Sequence, residues 1–128
     1  MCTRSRFGAR LEPFSHVDLL VHEGKTLDVV TQAESLDAFG QDLAIDYGLW
    51  TVGQTILETA ERLASEENAA AQSQYLLLVG ALRALTSEAH SASLVLDAYL
   101  LRSMSMAGYA PTLDACVVCG QPGAQSFF

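Results

Sequence analysis

The chain has 128 residues, a length that suits one ordinary domain or two small ones. Half of the residues are hydrophobic, so the chain can bury a core, but no apolar run reaches the roughly 18–20 residues of a membrane span. The first residues lack the apolar stretch of a signal peptide, which predicts a cytoplasmic protein. The formal net charge of −8 argues against a protein that is basic over its whole surface, as general nucleic-acid binders are.

The basic residues are concentrated at one end of the chain. Arg4, Arg6 and Arg10 are three of the seven basic residues, and no acidic residue precedes Glu12. All fifteen acidic residues follow, so any contact with a polyanion is predicted at the N-terminus. The three guanidinium groups could pair with phosphates. On spacing alone, a solvated tail remains the alternative.

Residues 14–33 have the two-residue period of β-strands. In the first run, apolar and polar side chains alternate, with Val17, Leu19 and Val21 on one face and His16, Asp18 and His22 on the other. Residues 23–25 are predicted to turn, with Gly24 supplying a positive φ. The alternation then resumes, with Leu27, Val29, Thr31 and Ala33 on one face and Val30 on the opposite one. This pattern predicts an antiparallel hairpin with one apolar face, which alone would be marginally stable.

Helical periodicity replaces this alternation after Ser35, the predicted N-cap of a helix that ends at Gly48. A second helix is predicted from Thr51 to about residue 63, with Glu58 and Arg62 paired at i, i+4. Further helices are predicted over about 73–85 and 91–107, the last stopped by Gly108 and Pro111. The spacing of the aromatic side chains places five of them in the core: Phe39, Tyr47, Trp50, Tyr75 and Tyr99.

The strongest single motif is Cys116-x-x-Cys119 followed by Gly120. A tight turn brings two such thiolates within about 2.3 Å of one zinc ion, and a structural zinc site takes four ligands. No second C-x-x-C is present and no histidine follows His90, so the motif predicts half of a zinc ribbon. Two ordinary reduced thiols and a thioredoxin-like redox pair remain alternatives.

Other polar clusters are interpreted as solvated. His16 and His22 lie six residues apart on a strand, roughly 20 Å at about 3.3 Å per residue, too far for a shared metal. His90 has no nucleophile motif around it. The acidic side chains Glu58, Glu61, Glu66 and Glu67 are typical of a helix surface and its exit loop. No motif indicates an enzyme.

Residues 4–14, with the sequence RSRFGARLEPF, resemble the RecO family of bacterial DNA repair proteins. Further segments resemble the family in its own order, in the form of its actinobacterial members, at residues 27–33, 46–47, 57–63, 96–102, 108–111 and 116–120. The resemblance covers about residues 3–123. It implies an α+β fold, with the last strands of an N-terminal OB barrel at 1–34 and a helical domain with the start of a zinc-binding region at 35–128.

The resemblance also implies a function. Family members are recombination mediators, not enzymes. They bind single- and double-stranded DNA, promote annealing, and work in the nucleoid with RecR, with single-strand-binding protein and, in many bacteria, with RecF. In this chain the phosphate contacts would be Arg4, Arg6 and Arg10, and the zinc ligands Cys116 and Cys119. Strands expected before Arg4 and a second cysteine pair expected after Phe128 are not in the sequence, which suggests a piece truncated at both ends. A helical protein-interaction module without nucleic-acid binding, and a small metal-dependent enzyme, are the alternatives.

Overall fold

The computed structural model describes residue 8, residues 10–64 and residues 70–123. Two strands precede four helices in this part of the chain: β1 Ser15–His22, β2 Val29–Ala38, α1 Phe39–Leu43, α2 Tyr47–Leu63, α3 Ala71–Thr86 and α4 Ala92–Met106. The predicted α+β class and the antiparallel hairpin are therefore confirmed. The helices pack against one another, and β1 contacts α1.

The register of the hairpin contains two irregularities, which change the faces of the strands. One lies between His16 and Val17, and the other between Leu20 and Val21. At the second, Val21 pairs with Val30, so both valines share a face. Strict alternation had placed Val30 on the opposite face, and that prediction was wrong because a β-bulge sets two residues of one strand against one of the other.

Gly24 is needed in the hairpin loop for a reason that differs from the predicted one. Its φ is not positive; a Cβ at this position would collide with the carbonyl oxygen of Leu27. The amide of Gly24 donates to Oδ1 of Asp28 at 3.2 Å, which draws the two sides of the loop together. The glycine therefore permits a close backbone approach.

The first predicted helix is much shorter than expected. Ser35 is not an N-cap, because it pairs with Val17 in a strand β2 that continues to Ala38. Helix α1 has only 5 residues, and Gly48 lies in the first turn of α2 instead of ending a helix. The reason is Asp46, whose Oδ1 accepts the amide of Leu49 at 3.0 Å and so starts a new helix.

The side chain of Phe14 connects the hairpin to the core formed by the helices. Although it precedes β1, it is 4% exposed and packs edge-on against Trp50, with ring centroids 4.9 Å apart. Its φ of 64° lies in the left-handed region, which is unfavourable for a side chain of this size. Its carbonyl accepts the amide of Phe39 at 3.0 Å, which joins the start of β1 to the end of β2. The core cluster comprises Phe14, Phe39, Leu43, Ile56, Ala81, Leu82, Leu85, Val95 and Tyr99.

The aromatic core was predicted only in part. Phe39 and Tyr99 are buried and Trp50 is half-buried, whereas Tyr47 is 85% exposed and Tyr75 47% exposed. In α4 the buried side chains are Val95, Tyr99 and Ser103, while Leu94 and Leu101 face outward. Because α4 is apolar on much of its circumference, its sequence period does not select one face. Its predicted end at Gly108 is confirmed: Gly108 has φ 97° and its neighbour Tyr109 donates to Met104 O at 2.9 Å.

Candidate nucleic-acid interface and cysteine knuckle

Arg10 is the one residue of the predicted phosphate-binding set within the described residues; Arg4 and Arg6 lie outside them. Arg10 is exposed, and its Nη1 donates to the carbonyl of Ala33 on β2 at 2.5 Å. This bond uses one of the five N–H donors of a guanidinium group. Arg10 is thus held against the hairpin while it remains accessible to an anion.

Two carboxylates share a recess of the hairpin with Arg10. Asp18 and Glu34 are directly opposite each other on β1 and β2, and both line the recess that contains Arg10. Like charges opposite each other destabilise a strand pair, and a nearby cation reduces that repulsion. Arg10 is the cation that shares this recess with the acidic pair.

A polar network joins the hairpin to α3. His16 Nδ1–H and Arg83 Nη2–H both donate to Oδ2 of Asp37 at 2.8 Å. The ring of His16 also packs edge-on against Tyr75, with centroids 5.8 Å apart. The interpretation of His16 as part of a solvated face was therefore wrong: its side chain is 15% exposed and is bonded on one side and packed on the other.

The network predicts how stability depends on pH. Hydrogen bonds from His16 and Arg83 hold the pKa of Asp37 below its usual value. A lowered folded-state pKa stabilises the fold above the unfolded pKa, about 3.9, and the contribution is lost as pH falls through the folded pKa. We expect Asp37→Asn to lower Tm near neutral pH, and the difference from wild type to shrink below about pH 4. Thermal unfolding from pH 7 to pH 2 measures this; a difference independent of pH would contradict it.

The cysteine motif forms a closed turn. Gly120 N–H donates to the carbonyl of Cys116 at 2.8 Å, and Cys116 N–H donates to the carbonyl of Gln121 at 2.9 Å. Gly120 has φ 70°, a backbone conformation that glycine adopts without steric cost. An isolated antiparallel β-bridge between Ala115 and Pro122 closes the base of the turn. We call residues 114–123 the cysteine knuckle.

Hydrogen-bond donors of the knuckle surround one of its two sulfur atoms. The amides of Cys119 and Val118, and the thiol of Cys119, donate to Sγ of Cys116 and lower the pKa of its thiol. Both cysteines are free thiols, with Cys116 half-buried and Cys119 exposed. Stabilisation of a thiolate by backbone amides is what a metal-binding turn requires. Among residues 10–64 and 70–123, however, no group of three or more His, Cys, Asp or Glu side chains could hold a metal.

The remaining acidic and histidine candidates within the described residues lie at the surface. Glu58 and Arg62 form the predicted i, i+4 ion pair at 2.6 Å. Glu61 and His90 are exposed, and Glu66 and Glu67 lie outside the described residues. In the part of the chain that the structure describes, no helix combines the length and hydropathy of a transmembrane segment.

An apolar groove runs between α3 and α4, and sequence reasoning missed it. Gly80 and Ala84 on α3 and Ala98 on α4 are among its lining residues, with His90 and Arg102 also present. A Cβ added at Gly80 would meet no atom within 4 Å. The small side chains explain the groove, since they leave space between helices whose larger residues, such as Leu76 and Leu94, are exposed.

Comparison with known proteins relates the chain to one protein family and to curated relatives. Residues 45–128 match the sequence profile of the family described as Recombination protein O C terminal. The chain is also 56% identical over 126 residues to a protein named "DNA repair protein RecO" from Thermobifida fusca (strain YX). That match covers 98% of this chain and 52% of the relative, so the chain spans about half the length of the curated relative it matches. No solved structure matches the chain.

Proposed function

Because the chain belongs to the RecO family of recombination proteins, we propose that it acts in DNA repair as part of a recombination mediator. The observation that carries this proposal is the 56% identity to a DNA repair protein RecO along nearly the whole chain. The mediator binds single- and double-stranded DNA and promotes the annealing of complementary single strands without a catalytic step of its own. It works in the cytoplasm at the nucleoid, with RecR, RecF and single-strand-binding protein as partners.

The hairpin is proposed to be the last part of an OB barrel, in a unit that covers residues 1–34, with the helical domain at 35–128. Within the described residues, neither edge of the two-stranded sheet has a neighbouring strand, and side chains such as Leu20 and Val29 are more than half exposed. Such a sheet becomes stable with further strands. A barrel of this kind suits DNA because a charged groove follows the backbone and exposed aromatic side chains stack on bases.

Arg4, Arg6 and Arg10 are the proposed phosphate contacts, and a salt titration tests them. Each phosphate neutralised on single-stranded DNA contributes about 0.7 to the slope of log K against log[salt]. Replacement of all three arginines with alanine should therefore flatten the slope by about 2 and weaken binding at low salt. Fluorescence anisotropy of a labelled single-stranded oligonucleotide with the full chain measures both quantities.

The matched control removes three other positive charges, with Lys25, Arg62 and Arg102 replaced by alanine. This control keeps the net charge of the two variants equal. It should leave the slope close to wild type. If the wild-type chain has no affinity for DNA at low salt, the proposed function is wrong. If the two triple variants have equal slopes, the three arginines are not the phosphate contacts.

Zinc is the proposed metal of the cysteine knuckle, with Cys116 and Cys119 as two of its ligands. The support is chemical: two thiols on one tight turn, and amides that stabilise the thiolate of Cys116. A structural zinc takes four ligands, so two more are required beyond this pair. When bound, the ion would cross-link the knuckle to the segment that supplies them.

Cobalt substitution tests this site, because Co²⁺ bound to thiolate has a charge-transfer absorption that zinc lacks. We expect the absorption on titration of the full chain with Co²⁺, and its loss in Cys119→Ser. Cys2→Ser is the matched control and should retain the signal. The same absorption in Cys119→Ser and wild type would exclude the knuckle as the site.

A helical protein-interaction module is the second candidate function. The observation in its favour is the exposed apolar groove between α3 and α4, since large exposed apolar surfaces are typical of docking sites. The two candidates differ in the arginine experiment: the interaction module requires no effect of Arg4, Arg6 and Arg10 on DNA.

A further inference from the structure

Asp37 occupies the junction between the hairpin and the helices. It lies on β2, and its Oδ2 accepts hydrogen bonds from His16 on β1 and Arg83 on α3. One carboxylate oxygen therefore connects both strands to a helix. Tyr75, eight residues before Arg83 on α3, contacts the ring of His16. At 1.5 Å per residue these two attachment points lie roughly 12 Å apart along α3, which is enough to fix an angle as well as a position.

The same strand holds Arg10. Its guanidinium donates to the carbonyl of Ala33, four residues before Asp37 on β2, or roughly 13 Å at 3.3 Å per residue. The location of Arg10 therefore follows that of β2, and Asp37 attaches β2 to α3. We propose that Asp37 is a positioning residue: it orients the hairpin on α3 and thereby holds Arg10 where it meets a DNA phosphate. This inference rests on the proposed DNA-binding function.

Arg83→Gln tests the proposal by removing a charged donor to Asp37. If only a fraction of the molecules keeps the binding orientation, the apparent Kd rises by the inverse of that fraction. Exposed ion pairs are weak, so we expect single-stranded DNA to bind about two- to fivefold less tightly. The slope of log K against log[salt] should stay unchanged, since Arg83 contacts a carboxylate. A slope flatter by about 0.7 would show that Arg83 itself meets a phosphate and would overturn the proposal.

Two variants sharpen this test. Arg62→Gln removes the same charge from an ion pair within α2 and should not weaken binding to the same extent. Arg83→Lys should restore wild-type affinity, because a single nitrogen of Arg83 makes the bond to Asp37. Equal losses in Arg62→Gln and Arg83→Gln would indicate a general charge effect and overturn the positioning role.

Asp37→Ala distinguishes the positioning role from general electrostatic attraction, because the two predict opposite changes in affinity for DNA. Removal of an acidic residue strengthens the general attraction to phosphate, so electrostatics alone predicts tighter binding. The positioning role predicts binding about two- to fivefold weaker. Asp97→Ala, at an exposed position of α4, is the matched control and should bind as tightly as wild type or more tightly. Tighter binding by Asp37→Ala would overturn the proposal.

Hydrogen exchange without DNA distinguishes this proposal from the proposed function. In Arg83→Gln the amides of β1 and β2 that exchange by local opening, without global unfolding, should exchange about two- to fivefold faster, while the locally exchanging amides of α2 should be unchanged. If wild type does not bind DNA, the proposed function fails on its own, and exchange still decides whether Asp37 orients the hairpin. Unchanged exchange in β1 and β2 would overturn the proposal regardless of DNA affinity.

Discussion

Replacement of Phe14 with alanine is expected to lower the free energy of unfolding by about 3–5 kcal/mol, the range for loss of a buried aromatic ring. Phe14 is 4% exposed, and its ring lies against Trp50 and next to Gly53. Neighbours on α1 and α2 cannot fill a space of this size without moving whole helices, so a cavity remains. Urea denaturation of the two proteins measures the difference.

The control for Phe14→Ala is Leu113→Ala, which removes a side chain that is 87% exposed. Its effect should stay within about 0.5 kcal/mol. A loss below about 1 kcal/mol for Phe14→Ala would mean that the ring does not belong to the core.

Phe14→Gly separates the side chain from the backbone. At a φ of 64° an alanine retains a strain of about 1–2 kcal/mol, which glycine does not have. We expect Phe14→Gly to be at least as stable as Phe14→Ala, although glycine is the smaller residue. A glycine variant clearly less stable than the alanine variant would rule out backbone strain at this position.

Gly53→Val is expected to lower the free energy of unfolding by about 2–3 kcal/mol, because it places atoms where the core has no space. A Cβ at this position would lie 3.0 Å from Cε1 of Phe14 and 3.2 Å from Cδ1 of Leu43. Leu43 is fully buried and cannot move aside. The two further methyl groups of valine increase the overlap. The free energy of unfolding in urea is again the measurement.

The matched control is Gly80→Ala, a glycine substitution within α3 whose Cβ would meet no atom within 4 Å. Its free energy of unfolding should be higher than that of wild type by about 0.5–1 kcal/mol, because alanine has a higher helix propensity than glycine. In a Phe14→Leu background the cost of Gly53→Val should fall by at least about 0.5 kcal/mol, since the two residues are in contact. Additive effects would contradict the contact.

Local signals in the sequence identified much of the fold. The alternation over residues 14–33 depends only on neighbouring residues, so it predicted the hairpin. The turns at Gly108 and Gly120 were also predictable, because a residue with positive φ at a helix end or in a tight turn is usually a glycine. The start of α2 was missed although Asp46 is a favourable N-cap. The i, i+4 spacing of Phe39, Leu43 and Tyr47 suggested instead that one helix continued.

Long-range contacts explain what could not be predicted. Asp37 bonds to residues 21 and 46 positions away in sequence, and no local pattern indicates either partner. His16 alternated like a solvated strand residue, since periodicity cannot show that α3 covers it. The groove between α3 and α4 depends on which of several apolar faces of α4 packs inward, and that is decided by the neighbouring helices. Among the predicted site residues that the structure describes, the turn around Cys116 and Cys119 has a geometry that follows from its own sequence, whereas the location of Arg10 depends on the distant Ala33.

The location of Phe14 has a consequence for how the chain melts. The family profile begins at residue 45, yet the helices from that point onward share their core with a ring that precedes β1. A hairpin with a separate core could unfold while the helices stayed intact. Here the loss of the hairpin's base removes Phe14 from between Trp50 and Gly53, so strands and helices form one cooperative unit. The boundary between the two regions in sequence is therefore not a boundary in unfolding.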